Sequence, residues 1–234
     1  MKILNASPYH YVKGGSDSYF LAQNRLYRQS GIDVAPFCVQ SELNEPSEWS
    51  EYFPRGTNMV KPGLRDIANF IYSTEAKSSI RRMIKRFNPD LAHLHIYYGQ
   101  FTSSILSVLK DEFNIPIVQT VHDYKVVCPV YSLTRNGKIC EDCDGKHFWR
   151  ALPRKCNRDS FARTSLSVLE SYVSRLGGNL DKIDRFVAVS DFQANRLCAL
   201  GLPKERLRVV HNFIETNGLM TRSASPSKLK FLYF

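Results

Sequence analysis

The chain has 234 residues, of which 43% are hydrophobic, and its 32 Lys+Arg against 22 Asp+Glu leave a net charge of +10. This length allows one large domain or two small ones, and the apolar fraction excludes a disordered or fibrous chain. No apolar run reaches the roughly 18 residues of a membrane span, and the N-terminal residues turn polar too early for a secretory signal peptide. We therefore expect a cytoplasmic protein.

Short apolar segments alternate with helical patterns along the chain. Strands are predicted at Met1–Ala6, Asp33–Val39, Asp90–Ile96, Pro116–His122, Arg185–Ser190 and Leu207–His211. Helices are predicted at Ser18–Gln29, at Arg65–Phe87 in one or two pieces, and at Tyr98–Phe113, Arg158–Arg175 and Asp191–Leu200. This alternation indicates an α/β fold, a parallel sheet with helices on both faces. Ligands of such sheets bind beyond the carboxyl ends of the strands.

The chain ends in a strand-like apolar run, residues 229–234, after a polar linker at 216–228. A lone strand has no sheet of its own. We therefore expect one domain over residues 1–215 and the first strand of a second, missing domain at 229–234.

A glycine pair, Gly14-Gly15, lies between the first strand and the first helix. Two glycines let a ligand approach the backbone, and a helix N-terminus favours an anion. A flexible turn is an equally good interpretation. No G-x-G-x-x-G or P-loop pattern occurs in the sequence.

Histidines mark the ends of two predicted strands. His122, followed by Asp123, lies where a crevice is expected, so it can bind a ligand hydroxyl or act as an acid–base group. The alternative is a structural histidine bonded to a loop carbonyl. His93 and His95 alternate on one strand and face the same side. Since no third metal ligand follows nearby, we interpret both as structural.

Four of the six cysteines cluster in a glycine-rich, charged insertion, Cys128–Asn157: Cys128, Cys140, Cys143 and Cys156. Cys140 and Cys143 form a C-x-x-C knuckle. Four thiolates can close a tetrahedral zinc site, with His147 as a substitute ligand, and such a site would be structural. Reduced surface thiols or oxidation-sensitive pairs are the alternatives.

Residues 61–90 contain seven basic and three acidic residues, a local net charge of +4. One helix carries five of these cations, namely Lys77, Arg81, Arg82, Lys85 and Arg86. Apolar residues can form its other face, and a basic amphipathic helix suits an anionic membrane surface. An ordinary solvated face explains the charges equally well.

Several ordered motifs together resemble the N-terminal half of a GT-B glycosyltransferase of the retaining family 4 type. They are Lys13-Gly14-Gly15, Pro89–His95, Thr120–Tyr124, Cys128-Pro129 with Gly137–Cys143, Phe186–Ser190 and Val209–Ile214. The resemblance implies two Rossmann-like domains with the active site between them. The N-terminal domain binds mainly the acceptor, and the C-terminal domain holds a nucleotide-sugar donor.

The resemblance also implies site residues. His122 contacts the transferred sugar as the catalytic residue, and Asp123 is assigned to substrate binding. Gly14 and Gly15 lie near the donor phosphates and the acceptor. Ser190 faces the cleft, and Asn212 stands where the family often has Asn-Gly, with Phe213 in place of the glycine. No catalytic divalent metal is implied.

We therefore expect the acceptor-binding part of a hexosyltransferase that moves a sugar to a glycan or lipid-linked acceptor. The expected setting is cell-surface polysaccharide synthesis at the inner face of the plasma membrane. Two alternatives stay open: a non-catalytic module that binds an acceptor or a membrane, and a zinc-containing nucleic-acid binder. Nucleic acid is disfavoured because basic and aromatic residues do not interleave.

Overall fold

The computed structural model describes residues 1–213, and its main body is a parallel β-sheet. The strands are β1 (Lys2–Ala6), β2 (Asp33–Phe37), β3 (Leu91–Leu94), β4 (Ile117–Val121), β5 (Thr134–Arg135), β6 (Lys138–Ile139), β7 (Arg185–Ala188) and β8 (Leu207–Val209). The helices are α1 (Gly15–Gln29), α2 (Leu64–Ile71), α3 (Thr74–Phe87), α4 (Ser104–Ser107), α5 (Phe161–Leu176) and α6 (Asp191–Ala199). The predicted linker and final strand, residues 216–234, lie outside the described residues.

Six parallel strands pair in the order β2-β1-β3-β4-β7-β8. Consecutive side chains of a strand point to opposite faces of the sheet, and four consecutive residues of β1, Ile3 to Ala6, are all buried. Both faces of the sheet are therefore covered, which confirms the predicted Rossmann-like fold. All six predicted strands within the described residues are present, although each is shorter than predicted.

The predicted helix Arg65–Phe87 is two helices. Tyr72 has an extended backbone after α2, and the Ser73 hydroxyl caps α3 by accepting from the N–H of Ala76 at 3.1 Å. Since a serine cap satisfies one of the free N–H groups of the first turn, it sets a new helix start.

The predicted helix Tyr98–Phe113 begins six residues late, at Ser104. Gly99 and Thr102 both have positive φ angles, 71° and 60°, so the chain turns before the helix starts. A π-helical segment, Val108–Glu112, then continues α4. The helix predicted at Arg158–Arg175 also starts late, at Phe161, because Arg158 and Asp159 have positive φ angles.

Within residues 1–213, no helix is both long enough and apolar enough to cross a bilayer.

Candidate functional site

The site lies at the carboxyl ends of β1, β3 and β4. The chain passes from β1 to β2 on one side and then crosses to β3 on the other side of β1, so the strand order reverses between β1 and β3. Such a switch point opens a crevice beyond the strand ends. His95 directly follows β3, and His122 directly follows β4. The parallel register brings both side chains to this crevice.

His95 and His122, the histidine pair, are joined by a hydrogen bond of 2.8 Å between His95 Nδ1 and His122 Nε2. On its other side, His95 Nε2 lies 3.1 Å from Asn5 Oδ1 and 3.0 Å from Gln23 Oε1. Both are carbonyl oxygens, so His95 Nε2 must carry a proton. His95 Nδ1 then accepts, and His122 Nε2 donates to it. This chain of bonds leaves the lone pair of His122 Nδ1 for a ligand.

The side-chain amides that contact the histidine pair are held in place by hydrogen bonds to one another. The Asn5 amide nitrogen donates to Asn24 Oδ1 at 2.8 Å and to Gln23 Oε1 at 3.3 Å. Asn5 comes from β1 and the other two from α1. The tautomer of His122 is therefore set by a network that joins β1, α1 and His95, the residue that follows β3.

His93 is the structural residue that the sequence predicts. It is buried between Tyr27 OH, 2.8 Å from its Nδ1, and Thr120 Oγ1, 2.8 Å from its Nε2. Its ring stacks on His95 with the centroids 4.8 Å apart, which confirms that both histidines face the same side. His95 is also buried and hydrogen-bonded, and in addition it contacts His122 directly. The alternation of the two histidines along the strand does not predict this contact.

The three imidazoles are uncharged at neutral pH. Burial lowers the pKa of His122 to about 4, and burial together with the nearby His122 lowers that of His93 to about 4. Burial lowers the pKa of His95 well below its usual range. His122 is therefore a hydrogen-bond acceptor at neutral pH rather than a source of protons.

Aromatic residues form one wall beside the histidine pair. The Tyr19 ring meets His122 edge-on at 5.6 Å and His95 at 5.9 Å between centroids, and Phe213 packs on Tyr19 at 5.2 Å. Sequence reasoning missed Tyr19 and Gln23 as site residues. Their i, i+4 spacing on a helix that follows a glycine loop is the signal that could have found them.

The glycine pair stands at the start of α1, with Gly14 as its N-cap residue. Gly14 has an extended backbone, and a Cβ on Gly15 would meet no atom within 4 Å. Neither position requires glycine for the fold itself, so the space above the loop is open. Asp17 lies in the first turn of α1. Burial raises the pKa of its carboxyl group, and a hydrogen bond from the N–H of Gly14 partly offsets this increase.

Asp123 lines a wide cavity of about 620 Å³, called the polar cavity here for its charged side chains, although apolar side chains such as Ile96 also line it. Its Oδ1 accepts from Tyr98 OH at 3.1 Å and from the Lys125 N–H at 2.8 Å, and burial raises its pKa. Lys13, Arg158 and Arg163 line the same cavity. His122 does not line this cavity, although it is the sequence neighbour of Asp123.

For Ser190 and Asn212, both among the described residues, the structure shows no contact with the histidine pair. The Ser190 hydroxyl accepts from the Gln193 N–H at 3.2 Å and caps α6, which explains its position without a ligand. Asn212 is exposed after β8. Substrate contact by either residue stays a prediction.

The four clustered cysteines all line one small cavity of about 20 Å³. Cys140 and Cys143 follow the β5–β6 hairpin, which the sequence did not predict. Burial, then the nearby thiols, raises the pKa of Cys143 to about 12. Across residues 1–213, no three His, Cys, Asp or Glu side chains lie close enough to hold a metal ion as they stand. Zinc therefore stays a prediction.

The part of the predicted amphipathic helix that carries the five cations, α3, has no free apolar face. Ile80, Met83, Ile84 and Phe87 of α3 are all buried in the main hydrophobic core. α3 therefore cannot lie in a membrane on its apolar side, and this part of the prediction is wrong. The basic face stays outside, with Lys77 and Arg81 partly covered and Arg82, Lys85 and Arg86 exposed. Arg81 already binds Glu112 through two hydrogen bonds of 2.6 Å.

Known proteins share this architecture. Residues 13–217 match the profile of Glycosyltransferase Family 4. Sucrose-phosphate synthase from Thermosynechococcus elongatus is similar with a TM-score of 0.52 and 14% identity, over 90% of this chain and 47% of that one. The catalytic domain of starch synthase IV from Arabidopsis thaliana, bound to ADP and acarbose, has a TM-score of 0.51 and 14% identity, over 92% of this chain and 52% of that one.

At these identities the two structures show a shared fold, and the chain spans about half the length of each. A search of curated protein sequences returns no significant match.

Proposed function

The chain belongs to glycosyltransferase family 4, and on this premise we propose that it forms the acceptor-side half of a hexosyltransferase. The enzyme would move a sugar from a nucleotide-sugar to a glycan or lipid-linked acceptor. ADP bound to the starch synthase structure supports a nucleotide-linked donor. Cell-surface polysaccharide synthesis at the inner membrane face is the setting that the family resemblance favours.

One observation carries the proposal: the histidine pair at the switch-point crevice. His122 Nε2 is held by His95 at 2.8 Å, and His95 is held in turn by Asn5 and Gln23. A group fixed in this way needs no reorganisation when a ligand arrives. We assign His122 Nδ1 to accept a hydrogen bond from a hydroxyl of the transferred sugar.

The remaining predicted residues surround this group. Gly14 and Gly15 leave open space at the N-terminus of α1, where free N–H groups favour a donor phosphate. Asp123 would bind a hydroxyl of the acceptor from the polar cavity. Ser190 and Asn212 would contact substrate from the ends of β7 and β8. No catalytic metal is part of the proposal.

The test is a transfer assay with nucleotide-sugar donors on the chain supplied with a donor-binding half. His122→Ala should reduce turnover on the order of 100-fold, since it removes a preorganised polar contact. Lys85→Gln, a change at an exposed position of α3 outside the crevice, serves as the control and should leave turnover unchanged. Turnover of His122→Ala equal to that of the parent chain would remove His122 from the mechanism.

The pH profile separates the proposed role from acid–base catalysis. Because the pKa of His122 is about 4, its protonation state does not change between pH 6 and 8. The pH dependence of turnover between pH 6 and 8 should therefore be the same in the parent chain and in His122→Ala. A loss of turnover from pH 8 to 6 that occurs in the parent chain but not in the variant would assign proton transfer to His122 instead.

We further propose that the four cysteines hold a structural zinc ion. Support comes from their shared cavity of about 20 Å³, which has room for one small occupant. Arg150 and Arg154 line this cavity and can balance the charge of four thiolates. Binding would require the sulphurs to close in, because Zn–S bonds are about 2.3 Å long.

A further inference from the structure

A second cavity, the apolar groove, lies between α2 and α5 and has a volume of about 480 Å³. α2 contributes Ile67, Phe70 and Ile71, and α5 contributes Leu166 and Leu169. Apolar atoms dominate its walls. Neither the histidine pair nor the glycine pair touches this groove.

The apolar groove adjoins the polar cavity beside Asp123. Met59, Phe70, Asn157, Arg163 and Ser167 line both spaces. We call the two adjoining volumes, of about 480 Å³ and 620 Å³, the channel, with the apolar groove at one end and the polar cavity at the other.

The polar end carries positive charge. Arg158 and Arg163 are exposed there, and neither forms an ion pair with any of residues 1–213. Lys13 reaches the same cavity and donates to Tyr9 OH at 2.8 Å. Arginine forks suit the geometry of phosphate oxygens.

Apolar side chains continue outside the groove. Leu64, one helical turn before Ile67, is 89% exposed, and Val60 just before α2 is 83% exposed. On α5, Phe161 and Leu169 are also exposed. Apolar surface of this kind next to a lined groove marks a binding site for a lipid or a protein.

We propose that the apolar groove and the polar cavity together bind a lipid with a phosphate-bearing headgroup. The hydrocarbon chain lies in the groove between α2 and α5, and the phosphate meets Arg158, Arg163 and Lys13. Charge complementarity favours this ligand over an apolar protein helix, since Lys13 and Arg158 line only the polar cavity and Arg163 lies where the two cavities adjoin. The inference rests on the proposed function, because it makes the acceptor a lipid-linked one and places its headgroup beside Asp123.

The test measures direct binding of dodecyl phosphate, below its micellar concentration, to the full chain by calorimetry. Dodecyl phosphate should bind at least about tenfold more tightly than either dodecanol or inorganic phosphate, since only it fills both ends of the channel. Equal affinities for dodecyl phosphate and dodecanol, or no binding at all, would overturn the proposal.

Variants then locate the site. The double change Ile67→Gln and Leu169→Gln, at two partly exposed groove positions, should weaken dodecyl phosphate binding about tenfold. Arg158→Glu with Arg163→Glu should weaken it similarly while leaving dodecanol unaffected. The matched control, Arg82→Glu with Lys85→Glu on α3, removes the same charge elsewhere and should change nothing. Equal losses in the control and the arginine pair would show general charge attraction and would refute the site.

Binding and transfer are measured separately, so the two proposals can fail separately. Transfer to a water-soluble glycan without dodecyl phosphate binding would refute the lipid site and keep the sugar transferase. Binding that follows the predicted variants, without transfer to any acceptor, would keep the lipid site and count against the transferase. A folded chain that binds an apolar peptide but not dodecyl phosphate would assign the groove to a protein partner.

Discussion

At the scale of single residues, the chemical role of His122 is set by the residues that pack against it. A histidine at a strand end can serve as acid, base or hydrogen-bond acceptor, and its neighbours decide which. Here His95 accepts from Nε2 at 2.8 Å, and burial holds the pKa at about 4. The side chain is therefore a neutral acceptor with a fixed orientation.

The buried histidines make the stability of the fold sensitive to acid. The pKa of His93 and of His122 is about 4 in the folded chain, against about 6.5 in an unfolded one. Between these values the unfolded state binds more protons, so the free energy of unfolding falls as the pH falls. From pH 7 to 5 we expect each histidine to contribute a loss of about 2 kcal/mol.

Urea unfolding of the parent chain and of His93→Gln at both pH values measures this loss. The variant should lose about 2 kcal/mol less than the parent, because glutamine does not titrate. The raised carboxyl pKa values of Asp17 and Asp123 act with the opposite sign in both proteins and cancel in the comparison. Between pH 7 and 8 the two proteins should differ little in slope. Identical losses from pH 7 to 5 would contradict the assignment of neutral His93.

At the scale of elements, the segment Cys128–Asn157 has little regular secondary structure that could stabilise its fold. It contains a hairpin whose two strands have two residues each, one 3₁₀ turn and a small hydrophobic cluster around Phe148 and Ala151. A segment with so small a core gains most from a crosslink or a metal. The zinc ion that we propose for its four cysteines would supply such a crosslink.

Metal analysis of chain purified under reducing conditions tests the zinc proposal. We expect about one equivalent of zinc per chain. Cys140→Ser with Cys143→Ser should abolish binding, and Cys198→Ser, outside the cavity, should preserve it. Chelation should make residues 128–157 more sensitive to protease. Clearly less than one equivalent in the parent chain would rule out a four-thiolate site.

α3 shows why an amphipathic pattern cannot by itself distinguish a membrane helix from a core helix. Both need one apolar and one polar face. Packing against the rest of the core buries Ile80 and Met83, so the apolar side of α3 is already used. In α2 the opposite holds, since Ile67 and its neighbour Leu64 remain exposed. The candidate lipid surface therefore lies on α2 and α5 rather than on the basic helix.

At the scale of the whole molecule, the described residues form one wall of the proposed active site. The sheet presents the histidine pair and the polar cavity along one edge. The chain spans about half the length of the two similar structures. In our proposal, most of the groups that hold the nucleotide-sugar belong to the other half, and this chain adds His122 and the glycine pair.

Transfer assays on the chain alone and on the chain mixed with a separately produced donor-binding half test this division. We expect release of nucleoside diphosphate to depend on the mixture, because donor and acceptor must be held together for reaction. Acceptor binding to the chain alone should be unaffected. Full turnover by the chain alone would show that the donor site is already present within it.

The sequence alone determined the parallel α/β fold, the succession of strands along the chain and the position of His122 at a strand end. These features follow from local apolar patterns and from the general rule for parallel sheets. Only the tertiary structure decided that His95 fixes His122, that Tyr19 and Gln23 belong to the site, and that Asp123 faces a different space. It also decided that the four cysteines share a cavity and that α3 is a core helix. Each of these depends on contacts between residues far apart in the chain, such as His95 with Asn5, and local patterns carry no information about such contacts.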